Sequence, residues 1–169
     1  VGVLRDERGD DTYRLDAIGQ GAGLYGIGIM EDLQGNDQYR CFSKAQGYGW
    51  TRGLGLLVDR AGNDRFEADD KEIKNPSAQT KDHNTSLAQG FGFGRRAGQD
   101  GQFLAGGIGM LYDASGDDTY SAGLFAQGCG YWYGMGFLLE GGGRDTYQGV
   151  WYVQGSGAHF AVGVLDDVS

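Results

Sequence analysis

Short stretches in which apolar residues alternate with glycine or polar residues recur along the chain, and each ends in an acidic residue. Four of them read "GIGIMED", "GLGLLVD", "GIGMLYD" and "GMGFLLE". Such alternation is typical of β-strands, and glycine at alternate positions would cost a helix about 1 kcal/mol per residue. The pattern therefore predicts strands and disfavours helices.

The strands recur at a nearly constant distance along the sequence. The acidic residue after each strand follows its predecessor by 26, 27, 54, 27 and 27 residues, at Asp6, Asp32, Asp59, Asp113, Glu140 and Asp167. A fixed period of this length indicates a solenoid. We therefore predict an all-β fold, a parallel β-helix (β-solenoid) with about 27 residues per coil and about five to six coils. The predicted solenoid spans residues 1–169 as a single domain, and we expect it to belong to a longer chain.

Equal positions of successive coils should form columns about 4.8 Å apart. We expect two apolar columns to fill the core together with Leu57, Leu111, Leu138 and Leu165. These columns are Ile27, Leu54, Ile108, Met135 and Val162, and Ile29, Leu56, Met110, Phe137 and Val164. A third column, Gln20, Gln46, Gln89, Gln127 and Gln154, should form a ladder of amides bonded along the stack.

Each strand leads into a turn of the form D-x-x-G-x-D-x-aromatic, as in "DLQGNDQY" and "DASGDDTY". The glycine suits a tight turn with positive φ, and the aspartates suit hydrogen bonds from turn amides. Stacking would create two acidic columns, Asp6, Asp32, Asp59, Asp113 and Glu140, and Asp11, Asp37, Asp64, Asp118 and Asp145. Like charges about 5 Å apart repel by somewhat under 1 kcal/mol per contact in water. Amide hydrogen bonds or calcium ions would offset that repulsion, so a structural turn and a metal site both stay open.

The half-motif G-x-D-x-[YF] resembles part of the RTX calcium-binding nonapeptide, and "EGGGRDTYQ" is the nearest match. The motif comes once per coil and not in tandem nonapeptides, so the arrangement differs from an RTX site. The chain as a whole resembles the Gly/Asp-rich β-solenoid repeats of exported bacterial proteins. That resemblance implies a secreted or cell-surface location.

The interval from Asp59 to Asp113 is twice the period. We interpret the excess as loop insertions at about 67–88 and 95–106 in one coil, because a single Gln-Gly falls in the interval. An additional, degraded coil is the alternative. Loops that project from β-helix enzymes acting on polysaccharides form the substrate cleft, which makes Asp82, His83 and Asp100 the candidate catalytic residues of a glycoside hydrolase or polysaccharide lyase. No recognised catalytic motif accompanies them, so a solvated loop is the simpler interpretation.

The net charge of −9 disfavours nucleic acid and anionic membranes as partners and favours cations or neutral glycans. No apolar run is long enough to insert into a membrane. The aromatic residues Trp50, Tyr131, Trp132 and Tyr133 would offer stacking surfaces to a sugar ligand, although core packing explains some of them equally well. The two cysteines, Cys41 and Cys129, should lie two coils apart as free thiols.

These observations favour a structural or adhesive repeat module, with calcium as a possible stabilising cofactor. A carbohydrate-binding or polysaccharide-degrading domain that uses the inserted coil at 67–106 is the alternative. The expected partners are a glycan or another solenoid or protein surface, and end-to-end or lateral self-association is open.

Overall fold

A computed structural model describes residues 1–96 and 105–168 and confirms the all-β parallel solenoid. The chain winds through three sheets whose neighbouring strands pair in parallel, and the register joins equal positions of successive repeats. We call each coil a rung and number the rungs 1 to 6 by their strand in the largest sheet. That sheet, the long sheet, consists of Gly2–Arg5, Ile27–Asp32, Leu54–Asp59, Ile108–Asp113, Met135–Glu140 and Val162–Asp167.

Two further sheets complete the wall of the solenoid. The tyrosine sheet consists of Thr12–Arg14, Gln38–Cys41, Arg65–Ala68, Thr119–Ser121 and Thr146–Gln148. The short sheet consists of Gly23–Leu24, Gly49–Trp50, Gly92–Phe93, Gly130–Tyr131 and Gly157–Ala158. One extra pair, Thr85–Ala88 with Leu124–Ala126, lies between the tyrosine and short sheets along the chain.

The paired glycines let the long sheet and the short sheet pack backbone against backbone. A Cβ added to Gly55 would lie 2.0 Å from the carbonyl oxygen of Tyr48, and one added to Gly109 would lie 2.2 Å from that of Phe91. No side chain fits at such distances, so the interior is closed at this end of each long strand. Glycine is required here by the close approach of two backbones.

The prediction for the two apolar columns was wrong, because both columns point out of the solenoid. Ile108 and Val162 keep 40% and 45% of their surface exposed. In the strand of Ile108, the alternate residues Gly109, Leu111 and Asp113 are buried. Glycine, leucine and aspartate therefore form the inward set of each long strand. The outward set is apolar, and we call its two columns the apolar face: Ile27, Leu54, Ile108, Met135 and Val162, and Ile29, Leu56, Met110, Phe137 and Val164.

The core is a leucine column of the long sheet packed against an aromatic column of the tyrosine sheet. Met30, Leu57, Leu111 and Leu138 are essentially inaccessible and Leu165 packs beside them. The rings of Tyr13, Tyr39, Phe66, Tyr120 and Tyr147 stack at centroid distances of 4.7–5.1 Å. This ring ladder runs through five rungs and fixes the side chains that face the acidic turns.

The glutamine column also differs from the prediction. Gln46 Nε2 donates to the backbone oxygens of Tyr39 at 3.0 Å and Glu67 at 3.3 Å, and so joins two neighbouring strands of the tyrosine sheet. Gln20, Gln89 and Gln127 make the same kind of bridge. The amides bond to the backbone and not to one another, because each side chain points inward from a backbone with positive φ.

The turn glycines are needed for stacking more than for unusual backbone angles. Gly9 has a φ of 140°, but Gly35, Gly62 and Gly116 do not have positive φ. A Cβ on Gly62 would lie 1.6 Å from the carbonyl oxygen of Gly35 in the preceding rung. The expected positive φ is thus wrong at these three turns, and close contact between stacked turns explains the glycine.

The doubled interval lies between two adjacent strands of the long sheet, since Leu54–Asp59 pairs directly with Ile108–Asp113. Residues 69–84 form an excursion between two strands, and residues 94–96 and 105–107 adjoin the undescribed segment 97–104. Cys41 and Cys129 are free and buried. Burial raises the pKa of both thiols, which keeps them protonated and inert near neutral pH.

Candidate metal centre

Both acidic columns continue the inward face of the long strands into the turns. Seven carboxylates of these two columns are at most 2% exposed: Asp32, Asp37, Asp59, Asp64, Asp113, Asp118 and Glu140. Within residues 1–96 and 105–168, no lysine, arginine or histidine pairs with any of the seven. An ionised carboxylate buried without a counter-charge costs several kcal/mol, so this interior needs protons or cations to neutralise it.

In the first acidic column, both carboxylate oxygens of most residues accept hydrogen bonds. One oxygen accepts a turn amide two residues on, as Asp59 Oδ1 does from Ala61 N at 3.2 Å. The other accepts a tyrosine hydroxyl from the preceding rung, as Asp59 Oδ2 does from Tyr39 at 2.6 Å. Asp32, Glu140 and Asp167 receive the hydroxyls of Tyr13, Tyr120 and Tyr147 in the same way.

In the second acidic column, only one oxygen of most carboxylates accepts a hydrogen bond. Asp64 Oδ1 accepts the backbone N–H of Asp37 at 2.6 Å, and Asp118 Oδ1 accepts that of Asp64. The other oxygens of Asp37, Asp64, Asp118 and Asp145 are buried and have no hydrogen-bond partner among the described residues. A buried carboxylate oxygen without a partner is costly, so protons or cations at this column would stabilise the fold.

Carboxylates of the two columns form four clusters. In each cluster three carboxylate oxygens lie within 4.8 Å of one another: Asp6, Asp11 and Asp32; Asp37, Asp59 and Asp64; Asp64, Asp113 and Asp118; and Asp118, Glu140 and Asp145. Calcium binds oxygen at about 2.4 Å, so ligands on opposite sides of the ion are about 4.8 Å apart. The three oxygens of each cluster are therefore close enough to contact one cation, and the clusters contain all ten residues that the sequence marked as metal ligands.

The clustering has a clear electrostatic consequence. Burial, and then the neighbouring carboxylates, raise the pKa of Asp113 to about 10 and that of Glu140 to about 7. Burial likewise raises the pKa of Asp37 and of Asp118 to about 6, and that of Asp64 above its usual range. Without a metal the interior therefore retains protons near neutral pH, and a cation would have to displace them.

The cluster of Asp64, Asp113 and Asp118 has the most unused bonding capacity. Phe66 takes the place of tyrosine in the ring ladder, so the preceding rung donates no hydroxyl to Asp113. Asp113 Oδ2 has only the hydroxyl of Tyr120 from its own rung, at 3.4 Å. The sequence carries this signal, since the aromatic residue of the motif is tyrosine in every repeat except this one.

The loop candidates Asp82 and His83 do not share a site in the structure. His83 Nδ1 lies 2.6 Å from Asp70 Oδ2 and faces a cleft of about 290 Å³ on the tyrosine sheet, lined also by Arg65, Glu67 and Lys71. Asp82 is exposed, and it does not line this cleft. Asp100 lies outside the described residues. The sequence did not single out Asp70 as the partner of His83, because no motif joins residues at that spacing.

The four aromatic candidates lie on or beside the short sheet. Trp50 and Tyr131 share one column, with Phe93 between them. The ring of Trp132 stacks on His159 at 3.9 Å, and the guanidinium of Arg96 lies 5.4 Å from its centroid. Tyr133 stacks on Phe160 at 5.8 Å. Neighbouring side chains thus already contact the rings of Trp132 and Tyr133, which leaves less ring surface for a sugar.

Comparison with protein-family models, curated proteins and solved structures gave no match. In the described ranges there is no helix long and apolar enough to cross a membrane. The interpretation of the site therefore depends on its geometry alone.

Proposed function

We propose that this chain is a structural or adhesive β-solenoid module of a secreted or cell-surface protein, and that calcium bound between its rungs stabilises it. The main observation in support of this proposal is the set of seven buried carboxylates that have no basic partner among the described residues. The four clusters of oxygens at calcium-compatible distances support the same proposal. The buried carboxylates repeat in nearly every rung, which favours a structural role over a single catalytic centre.

Calcium is a better match to these clusters than magnesium. Calcium accepts six to eight oxygen ligands in irregular geometry, whereas magnesium requires a near-ideal octahedron at about 2.1 Å and retains several waters. Each cluster supplies one oxygen from each of three carboxylates, and waters or backbone oxygens would complete the irregular shell that calcium accepts. Because dissociation constants of about 10⁻⁴–10⁻³ M are typical of extracellular calcium modules, such sites would be filled outside the cell.

Thermal unfolding followed by circular dichroism, in millimolar calcium and in excess EDTA, tests the proposal. We expect a higher midpoint in calcium, because a ligand that binds only the folded state stabilises it by about 2.7 kcal/mol at 100 times its dissociation constant. Magnesium at equal concentration should give a smaller shift. Equal midpoints in calcium and EDTA would mean that protons alone neutralise the buried carboxylates of the turns, and they would overturn the metal proposal.

The matched variants are Asp118→Asn and Asp117→Asn. Asp118 belongs to two of the four clusters and is buried, whereas the adjacent Asp117 is half-exposed and pairs with Arg144. Asparagine at 118 keeps an oxygen to accept the N–H of Asp64 and replaces the unbonded oxygen with an amide donor. We expect the 118 variant to lose much of the calcium response and the 117 variant to retain it.

A second candidate function rests on the cleft beside the tyrosine sheet. His83, held by Asp70, faces this groove together with Arg65, Glu67 and Lys71, and these polar groups are a suitable surface for a glycan. His83→Ala should abolish binding or cleavage on a polysaccharide panel, with the exposed Asp82→Ala as control. Equal behaviour of both variants and the native chain would remove this candidate.

A further inference from the structure

The outer surface of the long sheet is apolar over most of its area. The apolar face contributes ten residues in two columns, and Val58, Tyr112 and Leu139 extend it into a third column. Ile27, Ile108, Met135 and Val162 are each at least 38% exposed, although neighbours in a column shield one another. No described segment covers these columns. A contiguous apolar patch of this extent on a soluble protein marks an interaction site.

The tyrosine sheet of the same molecule provides an internal comparison. Its outward columns are Thr12, Gln38, Arg65, Thr119 and Thr146, and Arg14, Arg40, Glu67, Ser121 and Gln148. The other large sheet of this solenoid thus presents polar columns to solvent and no apolar face. The apolar character of the long sheet therefore calls for a partner.

We propose that the apolar face packs against the apolar face of a second copy of this chain, with the two solenoids running in opposite directions. A second copy presents side-chain columns with the same spacing of about 4.8 Å, so the ridges of one sheet fit the grooves of the other, as in a β-sandwich core. Lipid and soluble glycan have no such matching period. This inference is independent of the calcium proposal and goes beyond it.

The charges at the two ends of the third column determine the orientation. The column runs Arg5, Glu31, Val58, Tyr112, Leu139 and Asp166, from rung 1 to rung 6. A two-fold axis parallel to the strands places rung 1 of one copy opposite rung 6 of the other and brings Arg5 to Asp166 twice. An axis along the stack would instead set the third column against the Ile27 column and leave both Arg5 and Asp166 opposite apolar residues. Glu31 faces an apolar residue in either orientation, and Arg5 and Arg60 of its own chain pair with it.

The size of the face is sufficient for a moderate dimer. Five of the six strands have six residues and Gly2–Arg5 has four. With strands about 4.8 Å apart and a rise of about 3.3 Å per residue, the outermost strands are about 24 Å apart and the outermost residues about 16 Å apart, which gives a plan area of roughly 400 Å² per copy. With the relief of the side chains, two copies bury about 1,000 Å² of accessible surface in total, which is the lower bound for a specific interface. We therefore expect a dissociation constant in the micromolar range.

Sedimentation equilibrium of the full chain in calcium, from 1 to 200 μM as suggested by this micromolar estimate, tests the inference. The native chain should shift from monomer to dimer across that range. Met110→Glu places a carboxylate opposite Leu56 of the second copy and should raise the dissociation constant about 100-fold or more. Thr119→Glu, on the polar outer column of the tyrosine sheet, is the matched control and should dimerise like the native chain.

The orientation has its own test. Arg5→Asp and Asp166→Arg should each weaken the dimer, and the double variant should recover much of the loss. A native chain that stays monomeric at 200 μM, or a Met110→Glu variant that dimerises normally, would overturn the inference. Flotation of a monomeric native chain with neutral phosphatidylcholine vesicles would do so as well, since it would assign the face to lipid. The melting midpoint of Met110→Glu in calcium and in EDTA shows separately whether the metal response is intact.

Discussion

Phe66 interrupts a regular series of tyrosine hydroxyl bonds to buried carboxyl groups. Adding the absent hydroxyl tests how much each such bond stabilises the fold. Tyr13, Tyr39 and Tyr120 each donate to an acidic side chain of the next rung at 2.6–2.7 Å. Phe66 occupies the same register, and its ring is parallel to those of Tyr39 and Tyr120 within 2°. In Phe66→Tyr the new hydroxyl should therefore reach Asp113 without moving the ring.

The magnitude follows from the bonding state of Asp113. A buried hydrogen bond contributes about 1 kcal/mol when both partners are neutral and about 1.5–3 kcal/mol when one is charged. Because the pKa of Asp113 is raised to about 10, the carboxyl is mostly neutral at pH 7, and we expect a gain of about 1–2 kcal/mol. For a chain of this length that corresponds to a rise of roughly 3–6 °C in the midpoint in EDTA.

The same variant probes the metal site. The new hydroxyl uses a lone pair of Asp113 that calcium would need, so the calcium-induced rise in midpoint should become smaller in Phe66→Tyr. Tyr39→Phe is the reverse experiment, since it deprives Asp59 of its hydroxyl bond and should lower the midpoint in EDTA. An unchanged or lower midpoint for Phe66→Tyr in EDTA, measured by circular dichroism, would refute the reasoning about the hydroxyl ladder.

Two other predictions follow from the interior. Gly109→Ala places a methyl group 2.2 Å from the carbonyl oxygen of Phe91 and should destabilise the chain by about 3 kcal/mol or more in urea unfolding, whereas Gly2→Ala, with nothing within 4 Å, should be nearly neutral. In EDTA the midpoint should fall as pH rises from 5 to 7, because Asp113 and Glu140 keep protons in the folded state that the unfolded chain has released. Each such group costs about 1.4 kcal/mol per pH unit, and a pH-independent midpoint would contradict this.

The period of the repeat was sufficient to predict the fold class. In-register parallel stacking makes equal positions neighbours, so a constant spacing in sequence translates directly into a column. The faces of the long strands were harder to assign, because glycine carries no polarity and the branched apolar residues looked like the core. The inward glycine, leucine and acidic positions change little from repeat to repeat, whereas Ile108, Leu54 and Met135 share one outward position. The positions that vary least in size are the ones with least space around them, and they mark the inward side of each strand.

The acidic columns were predicted from the sequence, but their burial was missed although strand geometry implied it. Aspartate in a glycine turn ordinarily indicates a solvated corner. Leu57 and Asp59 are two residues apart on one strand, and strand geometry therefore places them on the same face. Once Leu57 is in the core, Asp59 must follow it inward. The pairing of His83 with Asp70 depends on how an irregular loop folds, and no periodic rule applies there.

The glycine contacts connect the interior to the apolar face. Because the long sheet lies directly on the short sheet, with no side chains between their glycines, its strands are supported along the half that carries the Ile27 column. A supported, in-register sheet has little freedom to twist or to bury its own outer side chains. The packing that closes the solenoid at one end of each strand thereby leaves the apolar columns in a regular array outside. Gly109→Ala should consequently weaken dimerisation as well as folding, whereas Met110→Glu should affect dimerisation alone.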